Sequence, residues 1–281
     1  NLPQLTALGE LAAERYDRGG LIGFHWFGTT LEQELIGRSG GLMHIGFDRP
    51  WKEKKLRTDE EKSQDIAVLA WDADPKPNEL KRLQNIKDSG QYLLGFGSKR
   101  NPNLAEHIKL CDSWVDSDTE AKDLSPGKLN HVMNAVSGWV WMAEFIAAHT
   151  RKGRMPPVWK SWVMKDGRAW SDRFFRKTKY HKEFSVPSIQ EGVLGKEYLH
   201  RIRSQLSALE NTQSPVIHQF AKTIAAEKRA GRRTLVASSG HMVMNYVGKF
   251  SDSMWADNVE VHENLESQLN NFKKKSTRDS L

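Results

Sequence analysis

IAVLAWDADPKPNELKRLQNIKDSGQYLLGFG, residues 66–97, is the stretch that decides the fold. Its first six residues are apolar at every position, and a strand apolar on both faces belongs inside a parallel sheet covered by helices. Residues 78–89 carry a helical pattern, Gly90 stops it, and YLLGFG at 92–97 is the next strand. Two strands joined through a helix are parallel neighbours or near neighbours in one sheet. The same unit recurs on either side. Upstream, Leu5, Leu8, Leu11, Ala12 and Tyr16 mark one helical face that ends at Gly19-Gly20. LIGFHWFG at 21–28 follows as a strand. Thr29, Thr30, Glu32 and Glu34 open a helix that closes at Ser39-Gly40-Gly41, and LMHIGF at 42–47 is a second strand before a charged, proline-containing loop through Lys62. Downstream, residues 104–110 form a helix, SWVDS at 113–117 a fifth strand, and residues 126–149 a long apolar helix that ends at Lys152-Gly153. Residues 1–150 are therefore expected to form a three-layer, doubly wound α/β domain on a five-stranded parallel sheet.

Residues 151–195 show no clean period, yet they carry Trp159, Trp162 and Trp170 along with Pro156, Pro157 and Pro187. So many large aromatics predict an ordered connector packed on its neighbours. Residues 196–281 open with two helical stretches, KEYLHRIRSQLSALE and PVIHQFAKTIAAEKRAG. A strand in TLVASSG, a helix in HMVMNYVGKF, a strand in NVEVH and a final helix with a basic tail follow. IAAEKRAGRRTLVASSG at 224–240 parallels LAAERYDRGGLIGFHWFG at 11–28 with one inserted residue, which reads as an internal repeat whose second copy is partial.

Composition narrows the function. The chain has 281 residues, 38% of them hydrophobic and 27% charged, a globular balance. No apolar run approaches the roughly 20 residues of a spanning helix, so no membrane span is expected, and a cytoplasmic location is the expectation. Cys111 is the only cysteine, which forbids an intrachain disulfide and a Cys-based zinc site. No metal site is expected. The net charge of +7 is concentrated in residues 168–182 and in the tail at 273–278. A solvated basic face explains such runs. The weaker alternative is nucleic-acid binding by RAWSDRFFRKTKYHK, with Trp170, Phe174 or Phe175 stacking on bases. Neither GxGxxG after the first strand nor GxxxxGK[ST] occurs, so dinucleotide and P-loop chemistry are unsupported and no cofactor is expected.

The order helix, strand, small-residue loop, helix ending in ELIGR-SGGL, strand, DIAVLAW, helix, YLLGFGSK and LAEHIKLCDSWVDS resembles the sugar isomerase (SIS) family over roughly residues 5–150, with a partial second copy at 196–262. The resemblance implies a flavodoxin-like strand order and a phosphosugar ligand. ELIGR is similar to the helix segment of phosphoheptose isomerases, whose corresponding glutamate is the base, which points to Glu34. The histidine those isomerases use on the long helix after the sheet corresponds to His131. The resemblance also implies ligand contacts from Gly28, Thr29, Thr30 and Ser98, and, in the VASSGHM turn of the second copy, from Ser238, Ser239, Gly240 and His241.

These residue types suit the chemistry. Phosphate sits at a helix N-terminus because amides there lack intrahelical partners, and hydroxyls add donors; Thr29-Thr30 and Ser238-Ser239 are either such a cradle or ordinary N-caps. Aldose–ketose isomerisation needs a base to shift a proton between adjacent carbons, and Glu34 with His131 could supply it, each being otherwise a surface group. The loop after the third strand reads WDADPKPN, where Asp72 and Asp74 would repel phosphate and Pro75 and Pro77 remove amide donors. Two readings follow, a phosphosugar isomerase and a non-catalytic SIS-type module that binds a carbohydrate phosphate or a partner. A two-strand second copy has open edges, so a homodimer is expected, its cleft at the carboxyl ends of the strands and His241 contributed to the cleft from the second copy.

Overall fold

Residues 66–70 form the middle strand of a five-stranded parallel sheet and are buried at every position. The computed structural model describes residues 1–25, 27, 29, 31–47, 57–117, 129–183, 185–232, 235–237 and 257–259. The strands are β1 (Ile22–Phe24), β2 (Ile45–Phe47), β3 (Ile66–Ala70), β4 (Tyr92–Gly97) and β5 (Ser113–Asp116), in the order β2-β1-β3-β4-β5. Ile22 stands opposite both Ile45 and Ile66, and Val68 opposite Leu94. The chain reverses its direction of winding between β1 and β3, the flavodoxin-like arrangement.

The helices are α1 (Leu2–Asp17), α2 (Leu31–Leu35), α3 (Asp59–Ser63), α4 (Glu79–Asp88), α5 (Ala105–Leu110), α6 (Asn130–Arg151), α7 (Gly167–Phe174) and α8 (Val193–Arg229). Alternation along β3 shows the three layers. Ile66, Val68 and Ala70 join a core with α1, α2 and α6, whereas Ala67, Leu69 and Trp71 join a second core with Leu83 and Ile86 of α4 and Leu104. Gly138 lets α2 lie close on α6: a Cβ there would meet Leu31 Cδ1 at 2.7 Å and Leu35 Cδ1 at 2.8 Å. On the other face, Gly95 makes room for the Trp114 ring.

Three local readings change. Residues 59–63, expected within a loop, form α3, because Thr58 and Glu61 make a reciprocal capping box and Arg57 binds both carboxylate oxygens of Asp65. Residues 196–229, read as two helices, lie in the single helix α8 with Pro215 inside it; the i to i+4 ladder on both sides carries the helix through one missing donor. Trp170 and Phe174, offered above as base-stacking platforms, are packed side chains: Trp170 Nε1 donates to Val158 O at 3.0 Å, and Phe174 is buried against His181.

The chain forms two compact units, residues 1–203 and 204–281. In the first, residues 157–159 are stitched to residues 40–43 by backbone bonds, Trp159 N to Gly41 O, Gly40 N to Trp159 O and Met43 N to Pro157 O. In the second, β6 (Leu235–Ala237) and β7 (Asp257–Val259) pair in parallel. No described helix is long and apolar enough to cross a membrane.

Candidate functional site at the carboxyl edge

In an open parallel sheet the place for chemistry is outside the carboxyl ends of the strands where the winding reverses, here beyond β1 and β3. Residues from four segments stand at this edge. After β1 come His25 and Thr29, and then Glu32 in the first turn of α2; after β3 come Trp71 and Asp72. Ser98 follows β4, and Asn130 and Asn134 belong to the first turns of α6. Asn130, Asn134 and Ser137 are spaced to share one helical face and are all buried.

Glu32 is the chemically unusual member. Leu31 and Leu35 anchor α2 on α6, and this leaves Glu32 only 2% exposed. The Thr29 hydroxyl donates to its Oε2 at 2.6 Å, while its buried Oε1 has no hydrogen-bond partner among the described residues. Burial pushes the carboxyl up to about 7; hydrogen bonds from the Thr29 hydroxyl and from the Glu32 and Thr29 amides oppose the rise, and the negative charge of Asp72 adds to it. A carboxyl group that is half ionised near neutrality can both take and return a proton.

Asp72 is held by Asn134, which is 0% exposed. Its Nδ2 donates to Asp72 Oδ1 at 2.8 Å and to Trp71 O at 3.2 Å, and its Oδ1 has no partner among the described residues. The edge therefore carries two buried acceptors, Glu32 Oε1 and Asn134 Oδ1, that are unmatched among the described residues, whereas buried polar atoms are nearly always hydrogen-bonded. Asp74 belongs to a different arrangement: Asn101 Nδ2 donates to it at 2.9 Å, lacing the loop after β3 to the loop after β4, and hydrogen bonds from Asn103 and Asn101 hold its carboxyl low.

The residues expected from the sequence fall as follows. Thr29 and Ser98 are at the edge and buried; Thr29 is engaged with Glu32, and Ser98 Oγ accepts from Arg100 N at 3.2 Å. His131 is half-buried in the first turn of α6, three residues before Asn134. Glu34 is half-buried on α2; burial raises the phenol of Tyr198 on α8, and the charge of Glu34 adds to the rise. Gly28, Thr30, Ser238, Ser239, Gly240 and His241 lie outside the described residues. Sequence reasoning missed Glu32 and Asn134. The signal available was the Thr29-x-x-Glu32 spacing, which sets a hydroxyl beside a carboxylate one turn on.

A second ionisable cluster lies at the opposite, amino end of the sheet. Asp17, at the end of α1, accepts from Lys152 Nζ and Arg154 Nη1 at 2.8 Å and from the Tyr180 hydroxyl at 2.5 Å, with His149 Nδ1 at 3.7 Å. Burial alone would raise this carboxyl, but the hydrogen bonds from Lys152 and Tyr180 bring it down to about 2. His149 and His44 are each pushed down to about 4 by burial, and the Tyr16 hydroxyl bonds His44 Nδ1 at 2.7 Å. Among the described residues no three histidine, cysteine or acidic side chains gather in a metal-binding group. A scan of the chain against protein-family models finds no match, and a search of curated proteins finds none.

Proposed function

We propose that this protein binds a sugar phosphate at the carboxyl edge of its sheet and that Glu32 is the group that moves protons there. The observation that carries the reading is a buried carboxyl at about 7 whose Oε1 has no partner among the described residues, beside the Asp72–Asn134 pair. Acceptors need donors, and a polyol supplies several on adjacent carbons. In this reading Asp72 and Asn134 receive hydroxyls, and Ser98 with the exposed Lys99 and Arg100 after β4 faces the phosphate. The ionised Glu32 takes the proton from the carbon beside the sugar carbonyl and returns it to the former carbonyl carbon, so that an aldose becomes a ketose through an enediol with no net gain or loss of electrons. His131 remains the candidate for managing the oxygens. Glu34, beside Tyr198, is the less suitable base.

A second reading is a binding module without turnover. It is favoured by the loop after β3, where Asp72 and Asp74 with Pro75 and Pro77 stand in place of phosphate-holding hydroxyls.

Thermal-shift screening against aldose and ketose phosphates tests the ligand class, since a ligand bound only by the folded state raises Tm by mass action. Incorporation of solvent deuterium at the carbon beside the carbonyl separates the two readings: a Tm shift without exchange supports the module. No shift across the panel refutes the ligand class.

A further inference from the structure

The second unit presents an apolar stripe that nothing among the described residues covers. Along α8, Leu206, Leu209, Val216, Ile217 and Phe220 are between 51% and 64% exposed. Single exposed apolar residues are ordinary, but five on one helical face are not.

The spacing of the stripe names its occupant. Leu206 and Leu209 precede Gln213 by seven and four residues, and Ile217 and Phe220 follow it by four and seven. In an α-helix these offsets fall on one face, so these four residues read the same in both directions about Gln213, while the fifth, Val216, has Glu210 as its counterpart at the edge of the face. A face with this symmetry is complementary to itself run backwards, which is the requirement of an isologous two-fold contact. We infer that α8 pairs antiparallel with the α8 of a second copy of this chain, the two-fold axis passing at Gln213.

In this arrangement Leu209 packs on the second copy's Ile217, Leu206 packs on its Phe220, and the two Gln213 side chains meet at the axis. A central polar residue of this kind fixes register at some cost in stability. No like charges of α8 fall directly opposite each other: Glu197 meets Arg229 and Lys222 meets Ser204, while Glu210 lies against Val216 at the edge of the stripe. Five half-exposed apolar side chains present on the order of 500 Å² per copy, and about 1,000 Å² for the pair reaches the lower end of specific interfaces. The inference stands apart from the sugar-phosphate reading, since α8 beyond residue 203 carries none of the carboxyl-edge residues.

Light scattering on the full chain is expected to give twice 32.1 kDa at about 50 µM. Leu209→Glu alone and Ile217→Lys alone are each expected to give the monomer mass, with unchanged helix content by circular dichroism. The double variant Leu209→Glu/Ile217→Lys is expected to regain the dimer, because each glutamate then meets the second copy's lysine. Gln213→Cys is expected to form a disulfide-linked dimer on mild oxidation. Cys111 does not compete, because it is half-buried and burial pushes its thiol up to about 12. A monomeric parent overturns the inference. So does a dimer that survives both single changes, or a double variant that stays monomeric.

Discussion

Asp17 and Glu32 are both carboxyl groups withdrawn from water at the ends of one sheet, and their environments drive them in opposite directions. Asp17 collects two cations and a phenol, so its charge is matched and its carboxyl falls to about 2. Glu32 receives only neutral donors, the Thr29 hydroxyl and the Glu32 and Thr29 amides, and feels the negative charge of Asp72, so burial dominates and its carboxyl rises to about 7. Burial alone therefore says nothing about role; the charge of the donors supplied does. The amino end uses its carboxylate to hold segments together, joining the end of α1 to residues 152, 154 and 180. At the carboxyl edge Glu32 Oε1 and Asn134 Oδ1 are buried with no hydrogen-bond partner among the described residues, a destabilising arrangement.

The contrast breaks most readily at Glu32. Glu32→Gln keeps the shape and the Thr29 contact but cannot carry the proton, so isotope exchange on a bound sugar phosphate is expected to fall by about 10²-fold or more while the ligand-induced Tm shift persists. Unaltered exchange would remove Glu32 from the chemistry.

The same variant sharpens the comparison through stability. Because the folded carboxyl lies at about 7 and its ordinary value is 4.5, its full stability is present below pH 4.5 and is lost as pH rises through 7. The loss amounts to about 3 kcal/mol. Glu32→Gln is expected to be more stable than the parent by up to that amount at pH 8 and nearly equal to it at pH 4.5, as urea titrations at the two pH values would read. Asp17→Asn has the opposite sign. Its carboxyl lies at about 2 against an ordinary 3.8, so its contribution is present above pH 3.8 and lost as pH falls through 2. The variant is expected to cost about 2 kcal/mol at pH 7, and the cost should vanish near pH 2. Equal pH profiles for the two variants would abolish the distinction.

The smallest effect is expected at Thr29. Thr29→Ala removes the hydroxyl donor to Glu32 and is expected to cost about 1 kcal/mol while moving the pH midpoint of exchange upward, because the largest of the hydrogen bonds that restrain the carboxyl is gone. A downward move would mean that Thr29 does not act on Glu32.

Much of the fold was legible along the chain. The apolar run at 66–70, the stop at Gly90 and YLLGFG at 92–97 became β3 and β4 in register, since a fully buried strand leaves its mark on every residue. The site was legible only in part. Its location at the carboxyl edge followed from the strand and helix alternation, yet Glu34 was chosen where Glu32 carries the perturbed carboxyl. The two glutamates differ by two positions in a helix of five residues, too short for its period to define an inner face. Asn134 left no signal, because one polar residue in an apolar helix acquires meaning only from what it meets.

By itself the sequence determined the alternation of strands and helices and the parallel sheet, because periodicity and burial are local consequences of residue order, whereas the single helix α8 and its continuous stripe were decided by the structure. Tertiary structure alone decided which ionisable groups share an environment. Leu31 and Leu35, seated against Gly138, turn Glu32 inward, and a contact spanning about a hundred residues of chain has no local trace. The same holds for Asp17, whose partners at 152, 154 and 180 are distant in sequence and assemble only when α6 and the following segment pack beside α1. A carboxyl group's proton affinity is set by its three-dimensional surroundings, so the chemistry of both ends of the sheet was settled by packing.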